Sequence, residues 1–351
     1  MTPRIDIFEV MIRNIKSATP PVLLVILFGL LGIQQEGYSQ KIDGLTVVAP
    51  PKPYSIDPFD AVDAVESDWI GLVPYGFTRI GKTEVHFDTE RQWWGERSQG
   101  VKKSIEMAQS HGLSIMLKPQ VYVPGSWPGD LTFTTEDEWH KWETSYRQFI
   151  LHWAKIANTY EVEILCIGTE FKLSTKDRNQ FWLDLIEEIR KIYCGELTYS
   201  ANWDEYTAIQ FWSELDYIGV SSYFPLLEED TPEINDLIEA WKPRVKELAK
   251  VTKKYNKQLL FTEYGYLSVN GCCGKTWLLE KSVRSLPINE QCQANGIEAI
   301  LTTFGQQEWW AGGFLWKWFP NGKGHEGYIP RDYTPQDKLS EQVLKKHFSQ
   351  W

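Results

Sequence analysis

A chain of 351 residues, 42% hydrophobic and 24% charged, has the make-up of a globular protein long enough for one large α/β barrel or two smaller domains. Its net charge of −11 argues against nucleic acid or an anionic membrane surface as partner, because both reward a basic face. The 17 tryptophans and 16 tyrosines exceed what a core requires and point to flat aromatic surfaces, although most are expected to fill space between strands and helices.

The chain opens with a targeting pattern. Arg13 and Lys16 precede an apolar run over 22–33, too short to span a bilayer comfortably and suited to a signal-peptide core. Gly37 and Ser39 offer small residues before a cleavage point at Gln40. Residues 1–39 are therefore expected to be a signal peptide, with a retained N-terminal anchor as the alternative, and 40–351 the functional domain. Export to the periplasm, cell surface or medium follows as an expectation.

From residue 44 onward the pattern alternates. Apolar runs predict strands over 45–49, 69–73, 113–121, 163–170, 197–202, 215–222, 258–265 and 311–318. Helices are predicted over 58–67, 96–111, 135–160, 176–193, 207–214, 234–255 and 290–308, with a closing helix over 335–349. Thr135 ahead of Glu136, Asp137 and Glu138 is a helix start, since acids suit the positive end of the helix dipole. Gly112 and Gly195 punctuate two helix ends. Eight strands separated by helices, without internal repeats or a Pro/Ser-rich linker, favour the α/β class and a single (β/α)8 TIM barrel.

The five cysteines do not form a disulfide scaffold. Cys166 lies in an apolar strand and is expected to be a buried thiol. Cys272 or Cys273 could bridge to Cys292 in an exported protein, and an odd count leaves at least one thiol over, Cys194 among the candidates.

In such a barrel, chemistry gathers at the C-terminal ends of the strands. Reading those ends in order gives Lys118-Pro119-Gln120, Thr169-Glu170, Asn202-Trp203, Ser222-Tyr223, Thr262-Glu263-Tyr264 and Trp316-Lys317-Trp318. Only the fourth and seventh strands offer carboxylates, Glu170 and Glu263, and those strands face each other across the mouth. A carboxylate ending a buried strand is costly unless solvated, paired or used. Two facing ones match glycoside cleavage, which needs a proton for the departing oxygen and a group to meet the charge at the anomeric carbon. Strict alternation would turn Cys166, Gly168 and Glu170 inward together, likewise Leu259, Phe261 and Glu263, and Gly219, Ser221 and Tyr223. Tyr223 would then orient Glu263.

Here the chain resembles glycoside hydrolase family 113, within a retaining (β/α)8 clan. The matching stretches are Gly112-Leu-Ser-Ile-Met-Leu-Lys-Pro119, Ile167-Gly-Thr-Glu170, Leu197-Thr-Tyr-Ser-Ala-Asn-Trp203, Leu215-Asp-Tyr-Ile-Gly-Val-Ser-Ser-Tyr-Phe-Pro225 and Phe261-Thr-Glu-Tyr-Gly-Tyr266. The resemblance, from about residue 44 to 320, implies endo-acting hydrolysis of β-1,4-mannan with retention, Glu170 as acid/base and Glu263 as nucleophile. Two departures bear on the sugar. Thr169 stands where the wider clan usually has Asn, and Gln120 where His commonly follows the Lys-Pro pair.

Lys118, Gln120, Asn202, Trp203, Tyr223, Trp316 and Trp318 are the remaining substrate-binding candidates. Lys118 and Asn202 would bond sugar hydroxyls, and one of the two indoles would floor the reacting sugar. Trp93, Trp94 and Trp127 fall in loops that could line a polymer cleft. The six histidines form no close ligand pair and no glycine-rich phosphate loop precedes a helix, so neither metal nor cofactor is expected. The expected partner is a β-mannan or related saccharide, with no obligate protein partner implied. The rival readings are another β-glycosidase of the clan, acting on glucan, galactan or mannosides, and a non-catalytic polysaccharide-binding barrel.

Overall fold

The computed structural model describes residues 41–321, 324 and 327–351. The expected leader over 1–39 lies outside the described residues, as does His325.

Eight parallel strands close into a barrel: β1 (Ile42–Val47), β2 (Trp69–Leu72), β3 (Ser114–Leu117), β4 (Ile164–Thr169), β5 (Glu196–Asn202), β6 (Tyr217–Ser221), β7 (Gln258–Tyr264) and β8 (Trp310–Trp318). Each strand pairs with its neighbours in chain order and β8 pairs with β1, so the sheet has no edge. The helices alternating with them are α1 (Asp60–Asp63), α2 (Ser98–Ser110), α3 (Glu136–Thr159), α4 (Lys172–Asp177), α5 (Asn179–Arg190), α6 (Ile234–Tyr255), α7 (Thr276–Leu279), α8 (Glu290–Gly305) and α9 (Leu339–Phe348). The fold is the expected (β/α)8 barrel.

Several boundaries move for identifiable reasons. The strand expected over 113–121 stops at Leu117, and Gln120–Tyr122 pairs instead with Tyr75–Phe77 in a two-stranded ribbon outside the barrel. Pro119 has no N–H to continue the barrel ladder, so the chain leaves the sheet there. The helix expected over 176–193 begins earlier and breaks at Arg178, whose guanidinium is anchored to Glu143 and Glu136 across to α3. The helix expected over 207–214 shrinks to a 3-10 turn, Trp212–Glu214, and that over 58–67 to the four residues of α1. At α3 the start is as expected: Thr135 accepts from the Glu138 N–H while the Glu138 side chain reaches back, a capping box.

The barrel interior is plugged at one end by Ile42, Met116, Ile164, Cys166, Leu260, Ala311 and Phe314. Gly44 lacks a side chain for a concrete reason, since a Cβ there would lie 2.2 Å from Phe314 Cδ1. The larger core sits between strands and helices, and Trp142, Trp153, Trp182, Trp212, Trp241 and Trp310 are fully buried in it. The tryptophan excess is thus mostly packing, at about 2–3 kcal/mol per buried aromatic.

Strict alternation fails on the two strands that carry the carboxylates. On β4, Cys166 pairs with Thr198 and Thr169 with Ser200, so β4 holds one residue more than β5 between those points. The bulge turns Gly168 away from the interior, against Trp182 and Tyr146 of the outer helices, where a Cβ would lie 2.9 Å from both. On β7, Val220 pairs with Phe261 but Ser221 with Glu263, again one extra residue. Leu260 and Thr262 therefore face inward, while Phe261 packs outward on Phe304 of α8 at 4.7 Å between ring centroids. The expectation that Gly168, Leu259 and Phe261 point into the barrel is corrected by these bulges.

Cys272, Cys273 and Cys292 are buried together, with Cys272 Sγ 2.9 Å from Cys292 Sγ and 3.9 Å from Cys273 Sγ. Cys166 is a buried thiol as expected, and Cys194 is exposed.

Candidate active site

Above the apolar plug lies a layer of hydroxyls. Ser200 Oγ meets Thr262 Oγ1 at 2.6 Å and Ser221 Oγ at 3.0 Å, linking β5, β6 and β7. These residues need no charge partner, and they separate the apolar plug from the ionic groups over it.

Glu263 ends β7 and is held by three donors. The Lys118 ammonium bonds Oε1, Gln120 Nε2 donates to Oε1 at 2.6 Å, and the Tyr223 hydroxyl donates to Oε2 at 2.9 Å. Glu263 is only 7% exposed and Lys118 0%, so the ion pair is dehydrated and each charge depends on the other.

Glu170 follows β4 with a left-handed backbone, φ 58°. A residue with a Cβ pays about 1–2 kcal/mol for that geometry, and its surroundings must hold it there. The Trp127 indole donates from Nε1 to Glu170 Oε2 at 2.5 Å. Glu170 is half-buried as a residue, but its carboxyl sits deep among protein atoms. Burial pushes its pKa up to about 7, the negative charge of Glu263 adds to the rise, and Trp127, Ser221 and Lys118 act against it. The two carboxyls thus occupy opposed environments: one is charge-paired and multiply bonded, the other holds its proton near neutrality.

The other candidates separate into those at the carboxyls and those elsewhere. Lys118 cannot reach a sugar hydroxyl, because it is wholly buried; it serves as the counter-ion of Glu263. Gln120 also bonds Glu263, its amide brought there by the rim ribbon. Tyr223 bonds Glu263 in the way the pattern on β6 led one to expect. Trp316 is half-buried, with the Lys118 ammonium 6.0 Å from its ring centroid. Trp318, in contrast, is a core residue at 2% exposure and cannot share the floor with Trp316. A register irregularity between β1 and β8 lies just before it and breaks the assumed common face. Asn202 turns its amide to Asp204 at 3.1 Å and to the Trp203 N–H at 2.9 Å. Trp203 stacks on Trp277, with centroids 5.5 Å apart and planes 19° from parallel. The polar and ring partners of Asn202 and Trp203 are these and not the two carboxyls.

Beside the carboxyls, on the β1, β2 and β8 side, opens a cleft of 1440 Å³ whose walls include Trp93, Tyr122, Trp316, Tyr328, Tyr333 and Glu280. That exceeds the ~300–1,000 Å³ usual for a pocket holding one drug-sized ligand. Neither carboxyl lines it, but Trp316, near the Lys118 ammonium, and Tyr333, whose ring meets that of Tyr223 at 6.1 Å, connect it to the groups around Glu263. Trp94, also a loop candidate, is buried against Tyr54.

Sequence reading missed the Trp127 bond to Glu170, since the indole's loop position gave no sign of a partner 43 residues on. It also missed Glu205, a buried carboxylate in the loop after β5.

The model of Glycoside Hydrolase Family 113 matches residues 52–348. Among solved structures, the chain is similar to a family 113 β-1,4-mannanase in a complex, with 26% identity, 89% of this chain and 100% of that one covered, and a TM-score of 0.76. It is similar in fold to the family 113 β-mannanase AaManA of Alicyclobacillus acidocaldarius in complex with ManMIm, at 24% identity, 88% and 97% coverage and a TM-score of 0.76. A β-glucuronidase of Faecalibacterium prausnitzii shares the fold more distantly, at 12% identity, 89% and 49% coverage and a TM-score of 0.57. No curated protein matches the chain.

Proposed function

The chain belongs to glycoside hydrolase family 113, and from that premise we propose that it cleaves β-1,4-mannosidic linkages in mannan-type saccharides by double displacement, with retention. The observation that carries the mechanism is the opposed state of the two carboxyls. Glu263, held by Lys118, Gln120 and Tyr223, is the nucleophile; Glu170, with its pKa up near 7, is the general acid. In the first step a Glu263 oxygen bonds to the anomeric carbon. The glycosidic C–O bond breaks, and the Glu170 proton goes to the departing oxygen. Esterified Glu263 no longer carries charge, so one cause of the raised Glu170 pKa disappears and Glu170, having given up its proton, stays ionised and free to accept another. It then takes a proton from water as the water oxygen attacks the anomeric carbon and Glu263 leaves.

Mannan as substrate is supported by the family and by the mannanases among the similar structures. The size of the neighbouring aromatic cleft supports a saccharide of several units. Thr169 and Gln120 favour keeping a second reading, hydrolysis of another β-linked glycan, because both depart from the clan near the reacting sugar. The leader pattern makes export part of the same proposal.

Assays on mannan, glucomannan, galactan and xylan side by side test the substrate; inactivity on every mannan would remove it and leave the mechanism standing. For the mechanism, the Glu263→Ala variant given azide should form the glycosyl azide of inverted configuration. Recovery of the retained azide alone would refute the assignment of Glu263 as nucleophile.

A further inference from the structure

Glu170 holds an unfavourable backbone conformation, and the neighbouring hydrogen bonds show what keeps it there. Its own N–H donates to Ser200 O at 2.8 Å, an ordinary ladder bond to β5. The next N–H, that of Phe171, donates to a side chain: Tyr199 Oη at 2.7 Å. Tyr199 in turn donates to Glu205 Oε1 at 3.1 Å. Glu205 also accepts from Thr175 Oγ1 of α4 at 2.8 Å and, through Oε2, from the Asn202 N–H at the end of β5 at 3.1 Å.

Glu205 is 2% exposed and Tyr199 0%, so neither can touch a saccharide. Among the described residues Glu205 has hydroxyl and amide donors and no ion pair, an expensive way to bury a carboxylate unless it serves the structure around it. What it joins is specific: the segment leaving β4, where Glu170 sits, and the segment leaving β5. A hydroxyl that donates to a carboxylate is a better acceptor for the next donor, so the chain from Glu205 through Tyr199 strengthens the grip on the Phe171 N–H.

We infer that Glu205, acting through Tyr199, is a positioning residue that fixes the backbone at Glu170–Phe171 and so aims the Glu170 carboxyl at the departing oxygen. The inference rests on the reading of Glu170 as general acid. An acid displaced by a fraction of an ångström fails most where protonation is most needed. A merely structural role would lower activity on all substrates alike.

The test compares full-length Tyr199→Phe and Glu205→Gln with the unaltered protein on two substrates: a mannooligosaccharide, whose leaving group needs a proton, and a dinitrophenyl β-mannoside, whose leaving group does not. Tyr199→Phe should lose about tenfold to a hundredfold in kcat/KM on the oligosaccharide and less than about threefold on the aryl glycoside. Its alkaline pH limb should also move. Equal losses on both substrates, or none on either, overturn the inference. Should Tyr199→Phe fail to fold, the same ratio is read from Glu205→Gln, which keeps the tyrosine and the side-chain shape. Glu170→Ala is run in parallel. If it shows no leaving-group selectivity, the acid assignment itself falls; if it does and both positioning variants do not, only this inference falls.

Discussion

The Trp127 indole and the Glu170 carboxyl are joined by a 2.5 Å hydrogen bond that brings the long loop before α3 to the end of β4. The bond favours the ionised carboxyl, so it acts against the burial and the Glu263 charge that raise the Glu170 pKa to about 7. In Trp127→Phe that opposition is lost. The alkaline limb of the kcat/KM profile, expected near pH 7 in the unaltered protein, should move up by about half a pH unit to one unit. A pH profile over 5–9 checks this; a limb that stays put or moves down counts against Glu170 as the acid.

Lys118 and Glu263 form a dehydrated ion pair. Lys118→Met should leave an uncompensated buried carboxylate and destabilise the fold by about 3–5 kcal/mol, as for other buried pairs cut on one side. The variant also lacks the ammonium that holds Glu263 Oε1 in place, and an unanchored carboxylate is poorly aimed for attack on an anomeric carbon. Denaturant unfolding gives the stability. Single-turnover release of an activated aryl leaving group at pH 6 gives the chemistry and should fall by at least about tenfold.

The raised pKa of Glu170 also makes a stability prediction. Between the ordinary carboxyl range and about pH 7 the folded protein holds a proton that the unfolded chain has lost, so stability falls as pH rises through that window. Asp43 and Glu96, both raised to about 7 by burial, contribute with the same sign. Glu170→Gln removes one of these contributions. Its stability relative to the unaltered protein should therefore be greater at pH 8 than at pH 5. After allowance for partial solvent contact, the difference should be about 1–2 kcal/mol. Thermal melts at the two pH values decide; an equal difference at both would contradict the linkage.

Trp316 and Trp318 lie two residues apart and should respond differently. Trp316→Ala removes an indole from the cleft wall beside Lys118 and should raise KM for oligosaccharides with modest loss of stability. Trp318→Ala empties a core position and should cost about 3–5 kcal/mol with little change in KM. Melting curves and saturation kinetics on both variants separate the two roles, and matching behaviour would contradict them.

Cys272 and Cys292 are the pair placed to bridge if the chain folds in an oxidising compartment. Two thiols passing two electrons and two protons to a disulfide donor would leave three free thiols of the five, Cys273 among them. Thiol titration in denaturant, with peptide mapping, should find Cys272 joined to Cys292; a Cys273–Cys292 link would contradict the geometry. Closing that loop should stabilise the fold by about 3 kcal/mol.

The barrel was readable because its strands are apolar runs at intervals that helices fill, and that signal is local. The carboxylates at 170 and 263 stood out because no other strand end carries one. What could not be read depends on register. A bulge is a mismatch between paired strands, so the residues on one strand give no warning of it, and the inward set on β4 and β7 was misjudged for that reason. Lys118 illustrates a second gap: a lysine after a strand looks the same in sequence whether it is solvated or enclosed against Glu263. Glu205 illustrates a third, since an acid in a polar loop carries no mark of the burial that Tyr199, Thr175 and Asn202 give it.

The extra residue in β4 and again in β7 has an evolutionary reading. Each of the two carboxyls stands after a bulge residue, so its position is set by chain count as much as by residue identity. Deleting one residue near Gly168 would restore regular alternation and re-aim Glu170 while leaving the eight-stranded frame its core. A lineage could thereby fall silent, or recover activity, through a three-nucleotide deletion or insertion with both glutamates still encoded. In comparing related barrels, the spacing from the last buried strand residue to the glutamate is then as informative as the glutamate itself.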